Sequence, residues 1–184
     1  MFVKSPSGRK RFNVLGALNA VTLEIITVTN ETYINAESVC QLLRKLSELG
    51  LGIPITLVWD NARYQKCAVV FELAKELGIA LLYLPSYSPH LNLIERLWRF
   101  VRKQCLYSKY YEDFSSFKSA ISSLIDTAHL NKKEQLKTLM TWKFHSFNKV
   151  HFLAEYSITE KILYEQDFAL WLQTTIARLR VGDL

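Results

Sequence analysis

Residues 53–60 read IPITLVWD, a run with one polar residue inside it that ends at Asp60. An apolar run of this length is typical of a parallel strand that is covered on both faces. A second run of the same kind, IALLYL, occupies residues 79–84. Between the two runs, residues 63–77 carry apolar side chains at helical spacing and are followed by Gly78, which predicts a helix with a glycine stop. The three segments predict a strand–helix–strand unit.

The segments on either side extend this unit. Residues 12–18 and 23–28 are rich in β-branched and aromatic side chains, which predicts a β-hairpin. Asn35 suits the N-cap of a helix over residues 36–49. Helical patterns follow over residues 93–105, 114–129 and 132–141. The order of hairpin, helix, strand, helix, strand and helix predicts an α/β fold with a mixed sheet flanked by helices, in which the two apolar runs are neighbours.

Composition restricts the class of protein. The chain has 184 residues, 49% of them hydrophobic, which is enough for one domain with a substantial core. Its formal net charge of +6 favours an anionic partner such as nucleic acid. No apolar run is long enough to span a membrane, the N-terminus lacks a signal-peptide pattern, and the three cysteines lack metal-binding spacing. We expect a reduced cytoplasmic protein with no membrane partner.

Two carboxylates stand at positions where chemistry is expected. Asp60 ends the first apolar strand, and the carboxyl ends of strands are where sites form in open α/β sheets. The second carboxylate is Glu95, near the start of the helix predicted after the second apolar strand. Each acid also has an ordinary structural interpretation. Asp60 can be a turn residue, and Glu95 can be the third helical residue of a capping box that Asn92 opens. If the two strands are neighbours, the carboxylates converge. Two carboxylates suit hard divalent cations, and a pair of such ions can activate water during phosphodiester cleavage.

Basic side chains accompany Glu95 on its predicted helix. Arg99 and Arg102 follow it at i+4 and i+7, while the apolar stripe of the helix faces elsewhere, and guanidinium groups suit phosphates. The candidate DNA-binding residues are the basic side chains of the N-terminal tract and of this helix, namely Arg9, Lys10, Arg11, Arg96, Arg99, Arg102 and Lys103. We expect DNA binding that weakens steeply with salt and has little sequence preference.

Two segments carry a family resemblance. VWDNARYQ (58–65) and LLYLPSYSPHLNLIERLW (81–98) closely resemble the second and third blocks of bacterial insertion-sequence transposases of the mariner-related DDE superfamily, and 34 residues lie between Asp60 and Glu95, as in that group. The resemblance extends from about residue 8 to about residue 153. It implies an RNase H-like fold, two Mg²⁺ or Mn²⁺ ions held by three carboxylates, and DNA cleavage followed by strand transfer. Asp60 and Glu95 match the second and third acids.

The sequence departs from the family pattern at specific positions. The family's first Asp lies on a strand just before the segment that matches GRKRFNVLG, and no Asp precedes Asp60 here. Gln65 stands where many members have His, and Leu93 replaces a frequent Pro. No helix-turn-helix region for recognising transposon ends is found in the sequence. We therefore expect residues 1–154 to form a catalytic core that lacks the family's first strand, and residues 155–184 to form a helical tail of unknown role.

Three hypotheses follow for the function. The first is a DNA transposase catalytic fragment, associated with the bacterial nucleoid and inactive alone because the first acid is absent. The second is a non-catalytic DNA-binding or oligomerising remnant that binds itself or full-length transposases and modulates them. The third is an RNase H-like nuclease in which Glu24, on a hairpin strand, replaces the first acid. Whether the chain alone is an enzyme stays open among the three. The open edge of strand 12–18 would favour self-association in each.

Overall fold

The computed structural model describes residues 10–60, 62–84 and 91–141. The four strands are β1 (Asn13–Leu18), β2 (Ile25–Asn30), β3 (Ile55–Trp59) and β4 (Ile79–Tyr83). The five helices are α1 (Ala36–Glu48), α2 (Ala68–Glu76), α3 (Leu93–Cys105), α4 (Phe114–Asn131) and α5 (Lys133–Leu139), and a 3₁₀ turn spans Arg63–Gln65. The predicted α/β class is confirmed. The predicted tail at 155–184 and the boundary at 154 lie outside the described residues.

Strands β1 and β2 form the hairpin sheet, as predicted. They pair antiparallel from Asn13 opposite Asn30 to Leu18 opposite Ile25. The connecting turn is organised by Asn19, whose side-chain oxygen accepts hydrogen bonds from the next backbone N–H groups, with a distance of 2.9 Å to the nitrogen of Val21. An Asn side chain that satisfies nearby backbone donors is a common way to fix a turn. The local sequence therefore sets the register of this sheet.

Strands β3 and β4 form the parallel sheet, and they are neighbours as predicted. Ile55 lies opposite Ile79 and Trp59 opposite Tyr83, so both strands end at the same edge. Beyond the last pair, the backbone N–H of Leu84 donates to the carbonyl of Trp59 at 2.8 Å. Within the described ranges the strands make two separate two-stranded sheets rather than one hydrogen-bonded mixed sheet. The expectation of a single continuous sheet is corrected in this respect.

The hairpin sheet separates two apolar cores. Val14 and Leu18 pack against a core formed mainly by α3, α4 and α5. Leu15 and Ala17, which alternate with them along β1, pack against the core of α1 and α2. Because successive side chains of a strand point to opposite faces, β1 is covered on both of its faces.

Among the described residues, the parallel sheet has one covered face and one exposed face. Leu57 and Trp59 enter the core of α1 and α2, whereas Thr56 and Ala80 are exposed and Val58 is 36% exposed. The expectation that residues 53–59 are covered on both faces is therefore wrong. The apolar composition of the run indicated two buried faces, but the helices α1 and α2 that follow β2 and β3 pack on one face only.

The predicted helix at 63–77 is divided. A 3₁₀ turn at Arg63–Gln65 precedes the shorter helix α2, and Gly78 follows at a φ of 66°. The carbonyl of Gln65 accepts a hydrogen bond from the hydroxyl of Tyr83 at 2.9 Å instead of joining a continuous helical ladder. A tertiary contact thus overrides the helical pattern here. No helix in the described part of the chain has the length and apolar character needed to cross a membrane.

Candidate metal centre and nucleic-acid interface

Asp60 stands at the end of β3 with one carboxylate oxygen held by a buried neighbour. The side-chain amide Nε2 of Gln65 donates to Oδ1 of Asp60 at 2.8 Å, and Gln65 itself is only 4% exposed. The amide oxygen of Gln65 accepts from the backbone N–H of Ala62 at 3.2 Å. Asp60 is exposed, and its Oδ2 has no hydrogen-bond partner among the described residues. Oδ2 is therefore available to a ligand.

Glu95 lies in the first turn of α3 and is half-buried. Asn92 is the N-cap, as predicted, but its side chain accepts from the N–H of Ile94 at 3.3 Å rather than from that of Glu95. The reciprocal bond from Glu95 to the cap is absent from the described residues, so the predicted capping box is not formed. The carboxylate also lacks a salt bridge within these ranges, although Arg99 lies one turn away. It remains free, at the helix end that favours negative charge.

Close packing against β1 positions α3. A Cβ atom on Gly16 would lie 2.9 Å from Cη2 of Trp98, so the indole ring packs directly on the strand because glycine has no side chain there. Leu97 is fully buried and Val101 nearly so, on the predicted apolar stripe. Glu95 lies off this stripe at the start of the same rigid helix. Its location is therefore fixed by the hairpin sheet, even though α3 follows β4 along the chain.

The two candidate acids come from the ends of neighbouring parallel strands. Asp60 follows β3 directly, and α3 with Glu95 follows β4 after a connection that includes residues 85–90, outside the described ranges. Free carboxylate oxygens on both residues fit the ligand preference of Mg²⁺ or Mn²⁺. Within the part of the chain that is described, no group of three or more acidic, histidine or cysteine side chains forms a metal cluster. Convergence of the two acids stays a prediction.

The basic residues of α3 divide by environment. Arg99, Arg102 and Lys103 are exposed, and the last two lie in the final turn of the helix, where positive charge also complements the helix dipole. Arg96 is half-buried, and its Nη1 donates to the carbonyl of Thr141 at 2.6 Å and to that of Leu139 at 3.2 Å. Burial, with a smaller contribution from Arg99, lowers the pKa of Arg96. Arg96 therefore holds the end of α5 against α3.

The N-terminal basic residues lie beside aromatic rings. Lys10 Nζ lies 5.6 Å from the ring centroid of Phe114, and the guanidinium of Arg11 lies 5.7 Å from that of Tyr33. Lys118 lies 5.4 Å from the same Phe114 ring, but it is half-buried and paired with the carboxylate of Glu31. Arg9 lies outside the described residues. Exposed cations next to aromatic faces suit nucleic acid, because phosphates and bases can both be contacted.

Sequence reasoning underestimated Gln65. It was noted only as a departure from the family, whereas the structure makes it the one described residue that donates a hydrogen bond to Asp60. The sequence indicated this contact only through position. Gln65 lies five residues after Asp60, and Asn-Ala separates the strand end from the turn. A polar residue that close to a strand end can fold back on the acid, and periodicity analysis ignores this possibility.

Comparison with known proteins gives the family. The family model described as DDE superfamily endonuclease matches residues 2–118, well over half of the sequence, and the chain belongs to this family. A structural comparison finds similarity to a chain in the cryoEM structure of simian T-cell lymphotropic virus intasome in complex with PP2A regulatory subunit B56 gamma, with 14% identity and a TM-score of 0.49. The similarity covers 82% of this chain and 53% of that one, so this chain spans about half its length. A search of curated proteins gives no match.

Proposed function

We propose that this chain is part of the catalytic domain of an insertion-sequence DNA transposase related to the mariner group, with Asp60 and Glu95 as two of its metal-binding acids. The observation that carries the proposal is the position of the two acids. One ends β3, and the other begins the helix that follows β4, the parallel neighbour of β3. Both lie within the segment that matches the DDE endonuclease family. Mg²⁺ or Mn²⁺ is the proposed cofactor, with two ions in the intact site.

The residues of this chain have distinct roles in the proposal. Asp60 Oδ2 and the Glu95 carboxylate would bind the cation, and the exposed Arg99 and Arg102 would contact DNA phosphates. A bound divalent cation supplies charge neutralisation at the phosphodiester and activates water.

The proposal includes an RNase H-like core that lacks the family's first strand and its Asp. One feature supports it. The hairpin sheet and the parallel sheet are each two-stranded within the described ranges, yet they share the core of α1 and α2. A further strand paired with the edge of either sheet would extend that sheet over the shared core. In the family this strand carries the remaining acid.

The Glu24 hypothesis receives less support. Glu24 lies in the hairpin turn just before β2, and not on a strand as the sequence suggested. It is exposed, and its carboxylate accepts a hydrogen bond from the hydroxyl of Thr22 at 2.9 Å. A metal acid held in the sheet would be more rigidly placed. Glu24 therefore explains the missing first acid less well than a separate strand does.

A non-catalytic role is the second candidate. The described ranges contain no cluster of three acids, and two carboxylates hold two divalent cations poorly against their mutual repulsion. A chain of this kind would bind DNA through its exposed cations and associate with itself or with full-length transposases near the bacterial nucleoid. Steep salt dependence of DNA binding is expected under both candidates. Cleavage assays separate them.

The decisive experiment is restoration of activity. We expect the 184-residue chain with Mg²⁺ or Mn²⁺ neither to nick nor to join DNA. Fusion of an Asp-bearing strand should restore cleavage, and Asp60→Asn or Glu95→Gln in the fusion should abolish it, because each amide keeps the shape and loses the charge. Asp113→Asn, an exposed acid at the start of α4, is the matched control and should leave the restored activity unchanged.

Two outcomes would contradict the proposal. A correctly folded fusion that binds DNA and stays inactive would favour the non-catalytic role. Robust metal-dependent cleavage by the unmodified chain, lost in both Asp60→Asn and Glu24→Gln, would favour the Glu24 nuclease instead.

A further inference from the structure

We propose that Gln65 is a positioning residue for the metal site, fixing the Asp60 carboxylate so that Oδ1 is occupied by the amide and Oδ2 faces the cation. This inference rests on the proposed function for the identity of the ligand. The geometry behind it does not, because it consists of the hydrogen bond from Gln65 Nε2 to Asp60 Oδ1 at 2.8 Å.

The orientation of the Gln65 amide is determined by its neighbours. Its oxygen accepts from the backbone N–H of Ala62 at 3.2 Å, and its nitrogen donates to Asp60. Rotating the amide by half a turn would place its NH₂ group against the N–H of Ala62 and its oxygen against the carboxylate. Both contacts would then be repulsive, so a single orientation is allowed.

Gln65 is itself anchored from the second strand of the parallel sheet. The hydroxyl of Tyr83, the last residue of β4, donates to the Gln65 carbonyl at 2.9 Å. Gln65 is only 4% exposed, in contrast to the exposed Asp60 that it holds. Gln65 therefore connects the ends of the two strands, bonding Tyr83 of β4 through its backbone carbonyl and Asp60 after β3 through its side-chain amide.

This arrangement reduces the freedom of Asp60. An exposed Asp at a strand end samples several rotamers, and most of them do not direct an oxygen at a shared ligand. Hydrogen bonds from surrounding residues orient metal-binding carboxylates, and their removal typically lowers metal affinity by about 10–100-fold. We therefore expect loss of the Gln65 amide to weaken cation binding at Asp60 without removing any ligand.

The first part of the test examines the hydrogen bond in the full chain without metal. The ¹H–¹⁵N signals of the Gln65 side-chain amide should be widely separated and slow to exchange, because one proton is donated to a carboxylate. Asp60→Ala should return them to the values of a free amide. Signals that do not respond to Asp60→Ala would overturn the proposal.

The second part follows Mn²⁺ binding through paramagnetic broadening of signals near Asp60. Gln65→Met, which keeps the length but loses the hydrogen bonds, should weaken Mn²⁺ binding by about tenfold. Gln65→His, whose ring N–H can still donate, should recover most of the affinity. Val70→Ala, at a fully buried position of α2, is the matched control for destabilisation and should bind Mn²⁺ as the unmodified chain does.

The outcomes separate the two proposals. Equal Mn²⁺ affinity in the unmodified chain and Gln65→Met, or equal loss in Val70→Ala, would overturn the positioning role while leaving the metal site intact. No Mn²⁺ effect near Asp60 in the unmodified chain would overturn both proposals, even if the amide signal still responds to Asp60→Ala.

Discussion

The hairpin sheet and the parallel sheet are built from strands of similar apolar composition, yet they are packed differently. The hairpin sheet has a core on each face, whereas the parallel sheet buries one face and leaves Val58 and Ala80 exposed on the other. The candidate site draws on both. Asp60 comes from the half-covered sheet, and Glu95 is carried by a helix that packs on the fully covered one.

This difference indicates how the site is held. The helix α3 is fixed through Trp98 and Leu97 against β1, so the position of Glu95 depends on the hairpin sheet. Asp60 depends on the edge of the parallel sheet and on Gln65. The same substitution should therefore cost more unfolding free energy in the hairpin sheet than on the exposed face of the parallel sheet, and mutations at matched positions can measure this.

The largest effect is expected from filling the space between β1 and α3. Gly16→Val would force its side chain into the indole of Trp98, where even a single Cβ atom would lie 2.9 Å away. Overpacking of this kind should lower the free energy of unfolding by about 3 kcal/mol. Ala80→Val, which adds the same type of side chain to the exposed face of β4, should change it by less than about 0.5 kcal/mol. Urea unfolding of both variants tests this difference. An equal loss of unfolding free energy in both would contradict it.

A smaller effect on the free energy of unfolding is expected from shortening a valine side chain to alanine. Val28→Ala, at a position 5% exposed in β2, should lower the free energy of unfolding by about 2 kcal/mol, from the transfer of two methyl groups plus a small cavity. Val58→Ala makes the same change at a position 36% exposed in β3 and should cost less than about 0.5 kcal/mol. A large cost at Val58 would mean that its face of the parallel sheet is covered in solution.

The smallest effect concerns pH. Hydrogen bonds from the backbone and hydroxyl of Ser116 lower the pKa of Asp113, the N-cap of α4. A lowered folded-state pKa means that this stabilisation is full above the ordinary Asp pKa and is lost as the pH falls below it, through the folded-state value. Asp113→Asn, which still caps the helix, should flatten this part of the pH–stability curve. An unchanged acid limb in the variant would show that Asp113 is not its source.

Much of the fold was predictable because local patterns and tertiary packing agree. The hairpin of β1 and β2, the N-caps Asn35 and Asn92, and the pairing of β3 with β4 were all expected from the sequence, and the structure confirms them. The bare face of β3 was not predictable, because apolar composition does not reveal which face receives a helix.

The site was less predictable than the fold. Strand ends and helix starts could be located, but side-chain bonds between them depend on tertiary distances. The division of the helix at Gln65 follows from a contact with Tyr83, 18 residues away, which no local pattern contains. The same holds for Arg96, which binds carbonyls at the end of α5 although the sequence placed it among the candidate DNA-binding residues.

The most direct measurement of the central claim is the location of Mn²⁺ by anomalous scattering in crystals of this chain soaked at high Mn²⁺ concentration. We expect an anomalous peak within about 2.0–2.6 Å of carboxylate oxygens from both Asp60 and Glu95, the range for hard divalent cations bound to oxygen. Asp60→Asn should remove the peak. A Mn²⁺ peak that contacts neither acid, or a structure in which the two carboxylates lie on opposite sides of the parallel sheet, would contradict the account.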